Sequence, residues 1–149
     1  MTIKTRALGA LAGVFAFVSL QGAAVAADKP YDEGTVTVVS SIRTNPGMLD
    51  TYLRYLATTY KANMDAAKKE GIVLGWNVYQ TQPRSPDDPN IYLTVTYKNM
   101  AAFDGLDDRM EPIQQRSFGD QKARDAAMID REKMRRPIGQ EVIREVVFK

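Results

Sequence analysis

The sequence predicts an α+β fold: a four-stranded antiparallel sheet with its helices on one face. Three observations carry this. Four segments alternate apolar and polar residues with the period of a strand. One long segment repeats its apolar residues at steps of three or four, as an amphipathic helix does. The elements follow the order strand, helix, strand, strand, interrupted helix, strand, which is the split βαβ arrangement.

Residues 1–27 stand apart and read as a signal peptide. Lys4 and Arg6 make a positive start, Ala7 to Leu20 is an uncharged apolar run, and Ala24-Val25-Ala26-Ala27 supplies the small residues of a cleavage site after Ala26 or Ala27. A retained anchor is the alternative, because no charge falls between Ala7 and Ala27 and a spanning helix needs roughly 20 residues. Cleavage is favoured, since the strongly apolar part stops at Leu20. Residues 28–149 then form a single domain that is periplasmic or secreted, with no membrane segment after cleavage. An acylated junction is excluded, since it needs a cysteine and the chain has none.

Asp28 to Gly34 reads as a polar lead-in. Thr35 to Arg43 is the first strand, with Val36, Val38 and Ile42 on one face and Thr37, Val39 and Ser41 on the other. Asn45-Pro46 is expected to start the long helix, Asn45 as cap and Pro46 where a missing N–H has no partner. That helix runs from about Pro46 to Glu70 with Leu49, Leu53, Leu56, Tyr60, Met64 and Ala67 as its apolar stripe, and Gly71 ends it in a left-handed conformation.

Ile72 to Thr81 is the second strand, Leu74, Trp76 and Val78 alternating against Val73, Asn77 and Tyr79. The prolines of Gln82 to Asn90 make a stiff loop, and Ile91 to Tyr97 is the third strand, with Tyr92, Thr94 and Thr96 opposite its aliphatic face. Asn99 is expected to cap a short helix through Met100, Phe103, Leu106 and Met110, interrupted by Gly105 and Pro112. A second, poorly apolar helix spans about Asp120 to Arg136 and belongs at the periphery. Pro137 and Gly139 stop it, and Glu141 to Phe148 is the last strand.

Composition narrows the chemistry. Lys4 and Arg6 account for the whole net charge of +2, so the processed chain is neutral and offers no electrostatic case for nucleic acid. The chain has no Cys and no His. This excludes Cys/His zinc sites, a Cys nucleophile, a Ser-His-Asp triad and His-ligated haem. No cofactor is implied, and no metal: Asp104, Asp107, Asp108 and Glu111 match no calcium loop and read as a solvated helix edge.

Three segments carry a family resemblance: Arg43-Thr44-Asn45-Pro46-Gly47 after the first strand, the hairpin from Tyr79 to Pro89, and Tyr97-Lys98-Asn99-Met100 into the second helix. In these the chain, from about Thr35 to Lys149, resembles the ferredoxin-like dimeric α/β barrel superfamily, in particular small exported bacterial proteins of that type. The resemblance implies a homodimer paired sheet to sheet. Its members include cofactor-independent monooxygenases, cyclases, lactone isomerases, haem-binding enzymes and stress-induced proteins, and the missing histidines set this chain apart from the haem and His-dependent ones. The segment 111–136 is longer than the minimal fold requires, fitting a lid or a dimer arm.

Trp76, Asn77, Tyr79 and Tyr92 are the candidate ligand-binding residues, a flat aromatic wall with an amide and phenols to orient an oxygenated ring. Alternation puts Trp76 opposite Asn77 and Tyr79, and the ordinary reading has Trp76 in the core and the tyrosines at a dimer interface. Arg43 and Arg144 could reach a substrate carboxylate or form salt bridges within the sheet. Asp87 and Asp88 read as turn formers, and Arg124, Arg131, Arg135 and Arg136 as a solvated face in place of an anion site. The expected function is binding of a small aromatic or partly apolar ligand, or a stress-related role. A cofactor-independent monooxygenase or isomerase of aromatic or quinone-like compounds is the enzymatic alternative, and a structural partner protein the third.

Overall fold

A computed structural model describes residues 29–149; the expected signal peptide at 1–27 lies outside the described residues. Strands β1 (Tyr31–Thr44), β2 (Gly75–Gln80), β3 (Ile91–Tyr97) and β4 (Arg135–Phe148) form one sheet in the order β2-β3-β1-β4, with every neighbouring pair antiparallel. The helices are α1 (Leu49–Tyr55), a π-helical turn (Leu56–Tyr60), α2 (Lys61–Lys69), a 3₁₀ turn (Met100–Phe103), α3 (Leu106–Phe118) and α4 (Gln121–Met134). The α+β class and the antiparallel four-stranded sheet are as the sequence predicts.

Register explains the sorting of residues. Val36, Val38 and Ile42 lie beside Tyr97, Val95 and Ile91 of β3, so the apolar sides of both strands share the helical face. Two clusters fill the space beneath the helices: Val38, Ala67, Ile72, Val73, Tyr97 and Ile113 in one, and Ile42, Tyr52, Leu56, Ile91 and Leu93 in the other. Each fully buried aliphatic side chain contributes about 1.5–3 kcal/mol relative to leaving it in water.

Several boundaries differ from the sequence pattern. β1 begins at Tyr31 and not at Thr35, because Tyr31, Asp32 and Glu33 pair with Phe148, Val147 and Val146. A β-bulge at Gly34 and Thr35 separates this ribbon from the rest of β1, and Glu145 accepts from the Thr35 hydroxyl at 3.0 Å. β2 begins at Gly75, leaving Ile72 and Val73 as buried connectors and Leu74 exposed.

Asn45 does not cap the long helix, which starts at Leu49 with no side-chain cap. Asn45 closes α4 instead: its backbone N–H donates to Met134 and its Nδ2 to Lys133, both at 2.9 Å. Gly71, with φ +72°, ends α2 as expected. Asn99 precedes the 3₁₀ turn without a side-chain cap, and α3 runs through Pro112 because Ile113, 1% exposed, holds that turn on the core.

The segment 111–136 divides into the end of α3, a turn at Gly119-Asp120, and α4. Asp120 caps α4 by accepting from Ala123 N–H at 2.9 Å, and α4 buries no residue, as a peripheral helix should. Pro137 and Gly139 do not precede the last strand; they lie inside β4, which begins at Arg135. Its edge position tolerates a missing N–H, and a register shift at Pro137–Gly139 accommodates the extra residue. Among the described residues, no helix is long and apolar enough to cross a membrane.

Candidate functional site

A concavity lies among the helices, where the sequence pattern placed none. It is a half-open cavity of about 290 Å³, walled on one side by Tyr55, Tyr60, Asn63 and Met64, and on the other by residues of α3 and α4 that include Phe118, Arg124 and Arg131. The π-helical turn makes the first wall. Thr58 donates its hydroxyl back to the Arg54 carbonyl at 2.9 Å and the Tyr55 carbonyl at 3.3 Å, competing with backbone N–H groups for those acceptors. The Lys61 N–H then reaches Leu56, five residues back. In an uninterrupted α-helix Tyr55 and Tyr60 would stand about 140° apart. With the wider turn between them, both border the cavity.

Arginines of α4 form much of the opposite wall. Arg124 and Arg131, seven residues apart, fall within about 20° of each other around a helix, and Arg135, outside the cavity, opens β4. Their side chains are not the solvated face that the alternating charges suggest: those of Arg124 and Arg135 are only 16% and 11% exposed. Arg124 is paired with Glu111, and Arg135 with Glu132 at 3.2 Å. Arg135 also stacks over Tyr52 at 5.8 Å. The Nε atoms of Arg124, Arg131 and Arg135 are buried without an acceptor among the described residues. A buried donor left this way costs about 1–3 kcal/mol.

Protonation is set by burial. Desolvation pushes the Tyr60 hydroxyl well above its usual range and raises that of Tyr52, where Arg135 and Arg131 oppose the shift. Both phenols are therefore neutral at physiological pH. Asn63 is buried and satisfied, its Oδ1 accepting from the Ser117 hydroxyl.

The six residues singled out by sequence fall in three places. Trp76 faces the helices, donating from Nε1 to Asp65 at 3.1 Å and meeting Tyr60 edge-on at 5.6 Å. Asn77, Tyr79 and Tyr92 lie on the opposite, helix-free face of the sheet, with Tyr79 and Tyr92 directly paired across β2 and β3. Arg43 shares that face and donates to the Asp88 carbonyl at 3.3 Å. Arg144 is on the helical side of the outer strand, at the far end of β1, and pairs with Glu33 at 2.6 Å. These six do not converge on one cavity.

Asp88 acts as a turn former: its carboxylate accepts from the Arg84 and Ser85 N–H groups at 2.9 Å, and hydrogen bonds from Ser85 and Arg84 hold it below the usual range. Asp87 pairs with Arg136 at 3.1 Å. Among the described residues, no group of three or more acidic side chains is placed to hold a metal ion.

No family model and no curated protein matches the sequence. Solved structures do resemble it. Protein SO0527 from Shewanella oneidensis superposes with a TM-score of 0.50 at 12% identity, covering 78% of this chain and 96% of that one. HapK from Hahella chejuensis gives 0.46 at 13% identity, over 74% of this chain and 91% of its own. A dimeric ferredoxin-like protein from an uncultured marine organism gives 0.48 at 11%, over 78% and 96%. At such identities the likeness is one of fold. The strand order β2-β3-β1-β4 with helices on one face agrees with it: the chain has a ferredoxin-like architecture.

Proposed function

We propose that this is an exported protein, periplasmic or secreted, that binds a small, partly apolar ligand in the cavity between the long helix and α3–α4. The observation that carries the reading is the pairing of apolar and aromatic side chains with the Arg131 guanidinium, which has no ion-pair partner among the described residues, around a space of about 290 Å³. Ligand sites typically combine such side chains with a few polar groups and start at about 300 Å³, so a small ligand is favoured. The neutral phenols support binding over catalysis: Tyr60, kept protonated by burial, orients a ligand more readily than it removes a proton. The monooxygenase or isomerase alternative needs a group that moves a proton or stabilises a carbanion at the ligand.

The chain is proposed to work as a homodimer, with the helix-free face of one sheet against that of a second copy. That face carries Thr37, Val39, Ser41, Tyr92, Thr94, Thr96, Asn77 and Tyr79, side chains without charge that no helix covers. Asn77, Tyr79, Tyr92 and Arg43 would then border the space between the two sheets, a second place for a ligand.

Native mass spectrometry of the exported protein tests the binding reading. A retained small molecule that Tyr60→Ala or Arg131→Gln removes is the expected result; an empty protein that also fails to bind any of a panel of small aromatics would refute it. The same spectrum gives the N-terminus, expected at Ala27 or Asp28, and oxygen uptake with those aromatics would favour the enzyme.

A further inference from the structure

We infer that the helical cavity selects an amphipathic monoanion, a molecule with one flat apolar ring and one carboxylate, seated with the carboxylate on Arg131. The inference deepens the binding reading above and rests on it.

The ion pairs around the cavity single out Arg131 among its guanidinium groups. Arg124 is already paired with Glu111, whereas the Asp125 carboxylate on the same wall accepts, among the described residues, only from the uncharged Gln121 amide, at 2.8 Å, and keeps its charge. Arg131 has no carboxylate partner among the described residues, and its Nε is buried without an acceptor. One guanidinium is thus left to be matched. A planar carboxylate suits the paired terminal Nη groups of a guanidinium, meeting them with two parallel hydrogen bonds. A dianion would bring its second charge toward Asp125, whose own carboxylate has no cation partner among the described residues.

The apolar half of the ligand follows from the apolar side chains of both walls. Tyr55, Tyr60 and Phe118 supply rings, and Met64 and Met128 supply flexible thioethers that adapt to an aromatic edge. The volume holds about ten water-sized groups, enough for one ring with a short side chain. The Arg124 and Arg131 spacing on α4 and the π turn that places Tyr55 and Tyr60 together belong to different parts of the sequence. They meet only across this cavity.

The probes are phenylacetate, its uncharged analogue phenylacetamide, and acetate, which keeps the charge and lacks the ring. Affinities come from calorimetry on the purified protein, its Arg131→Gln and Arg131→Lys variants, with circular dichroism confirming that each variant is folded. Phenylacetate is expected to bind at least tenfold tighter than phenylacetamide, with acetate far weaker than either. Arg131→Gln should abolish the preference while leaving phenylacetamide affinity within about twofold; Arg131→Lys, which keeps the charge without the fork, should retain part of it. Equal binding of phenylacetate and phenylacetamide to the unaltered protein, or a preference that survives Arg131→Gln, overturns the anion inference while the binding reading stands. Binding of none of the probes, nor of a wider panel of neutral and charged aromatics, overturns both.

Discussion

The indole Nε1 of Trp76 donates to the Asp65 carboxylate across 3.1 Å, joining β2 to α2 through the chain's single tryptophan. Lys61 hydrogen-bonds the same carboxylate and is the main reason that its pKa lies below the usual aspartate range; the indole adds to the effect. A depressed carboxyl stabilises the fold above its ordinary value of about 3.9, and that contribution is lost as pH falls through the folded-state pKa. Trp76 emission should therefore change at a midpoint below pH 3.9 while far-UV circular dichroism still reports a folded chain. Asp65→Asn should remove this step. A fluorescence midpoint at or above the ordinary aspartate value would show that the bond does not govern the titration.

Gly34 is set by close approach. A Cβ placed there would lie 2.7 Å from the Glu145 carboxylate and 2.9 Å from its Cβ, closer than real contacts allow. Gly34→Ala should destabilise by about 1–3 kcal/mol in urea unfolding, as overpacking does. In a Glu145→Gly background the same change should cost much less, because the obstructing side chain is gone. An equal loss in both backgrounds would mean that the backbone, not Glu145, sets the requirement.

How far the sequence could be read depended on whether the governing contact was local. β3 was legible to the residue, because alternation from Ile91 to Tyr97 has one solution. Asn45-Pro46 has the chemistry of a helix start, yet its hydrogen bonds go to Lys133 and Met134, far along the chain. β4 reaches back to Arg135 because Thr44 and Arg43 offer it pairing partners, which no local signal at Pro137 or Gly139 reveals. The helical cavity was missed for the same reason. The seven-residue spacing of Arg124 and Arg131 was a signal of a shared face, but intervening acids made that face look solvated, and only the packing of α4 against the π turn turns it inward.

Ile113 and Ile129 separate core from periphery in the helical layer. Ile113 is buried against Val38, Ala67 and Tyr97, whereas Ile129 is 61% exposed on α4. Ile113→Ala should lower stability by about 2–5 kcal/mol, the range for a large buried aliphatic. Ile129→Ala should stay within about 0.5 kcal/mol. Chemical denaturation of the two variants checks this, and comparable losses would mean that α4 is covered in solution by something that buries Ile129.

The dimer proposal makes its sharpest prediction at Thr94. This residue lies between Val39 and Asn77 on the helix-free face, its neighbours across both strands uncharged. If two sheets pack there, a lysine at this position would lose its water in both subunits and meet its own copy near the two-fold axis, a combination of desolvation and like-charge repulsion that a sheet interface does not accommodate. The subunit's own core lies on the other side of β3, so Thr94→Lys should leave circular dichroism and monomer folding intact. Sedimentation at micromolar concentration should show a dimer for the unaltered protein and a monomer for Thr94→Lys, while Thr58→Lys on the opposite, helical layer leaves the dimer unchanged. An unaltered protein that sediments as a monomer would refute sheet-to-sheet pairing. A Thr94→Lys dimer of undiminished affinity would place the interface elsewhere, for which the exposed Val142, Val146 and Phe148 of β4 offer the next surface.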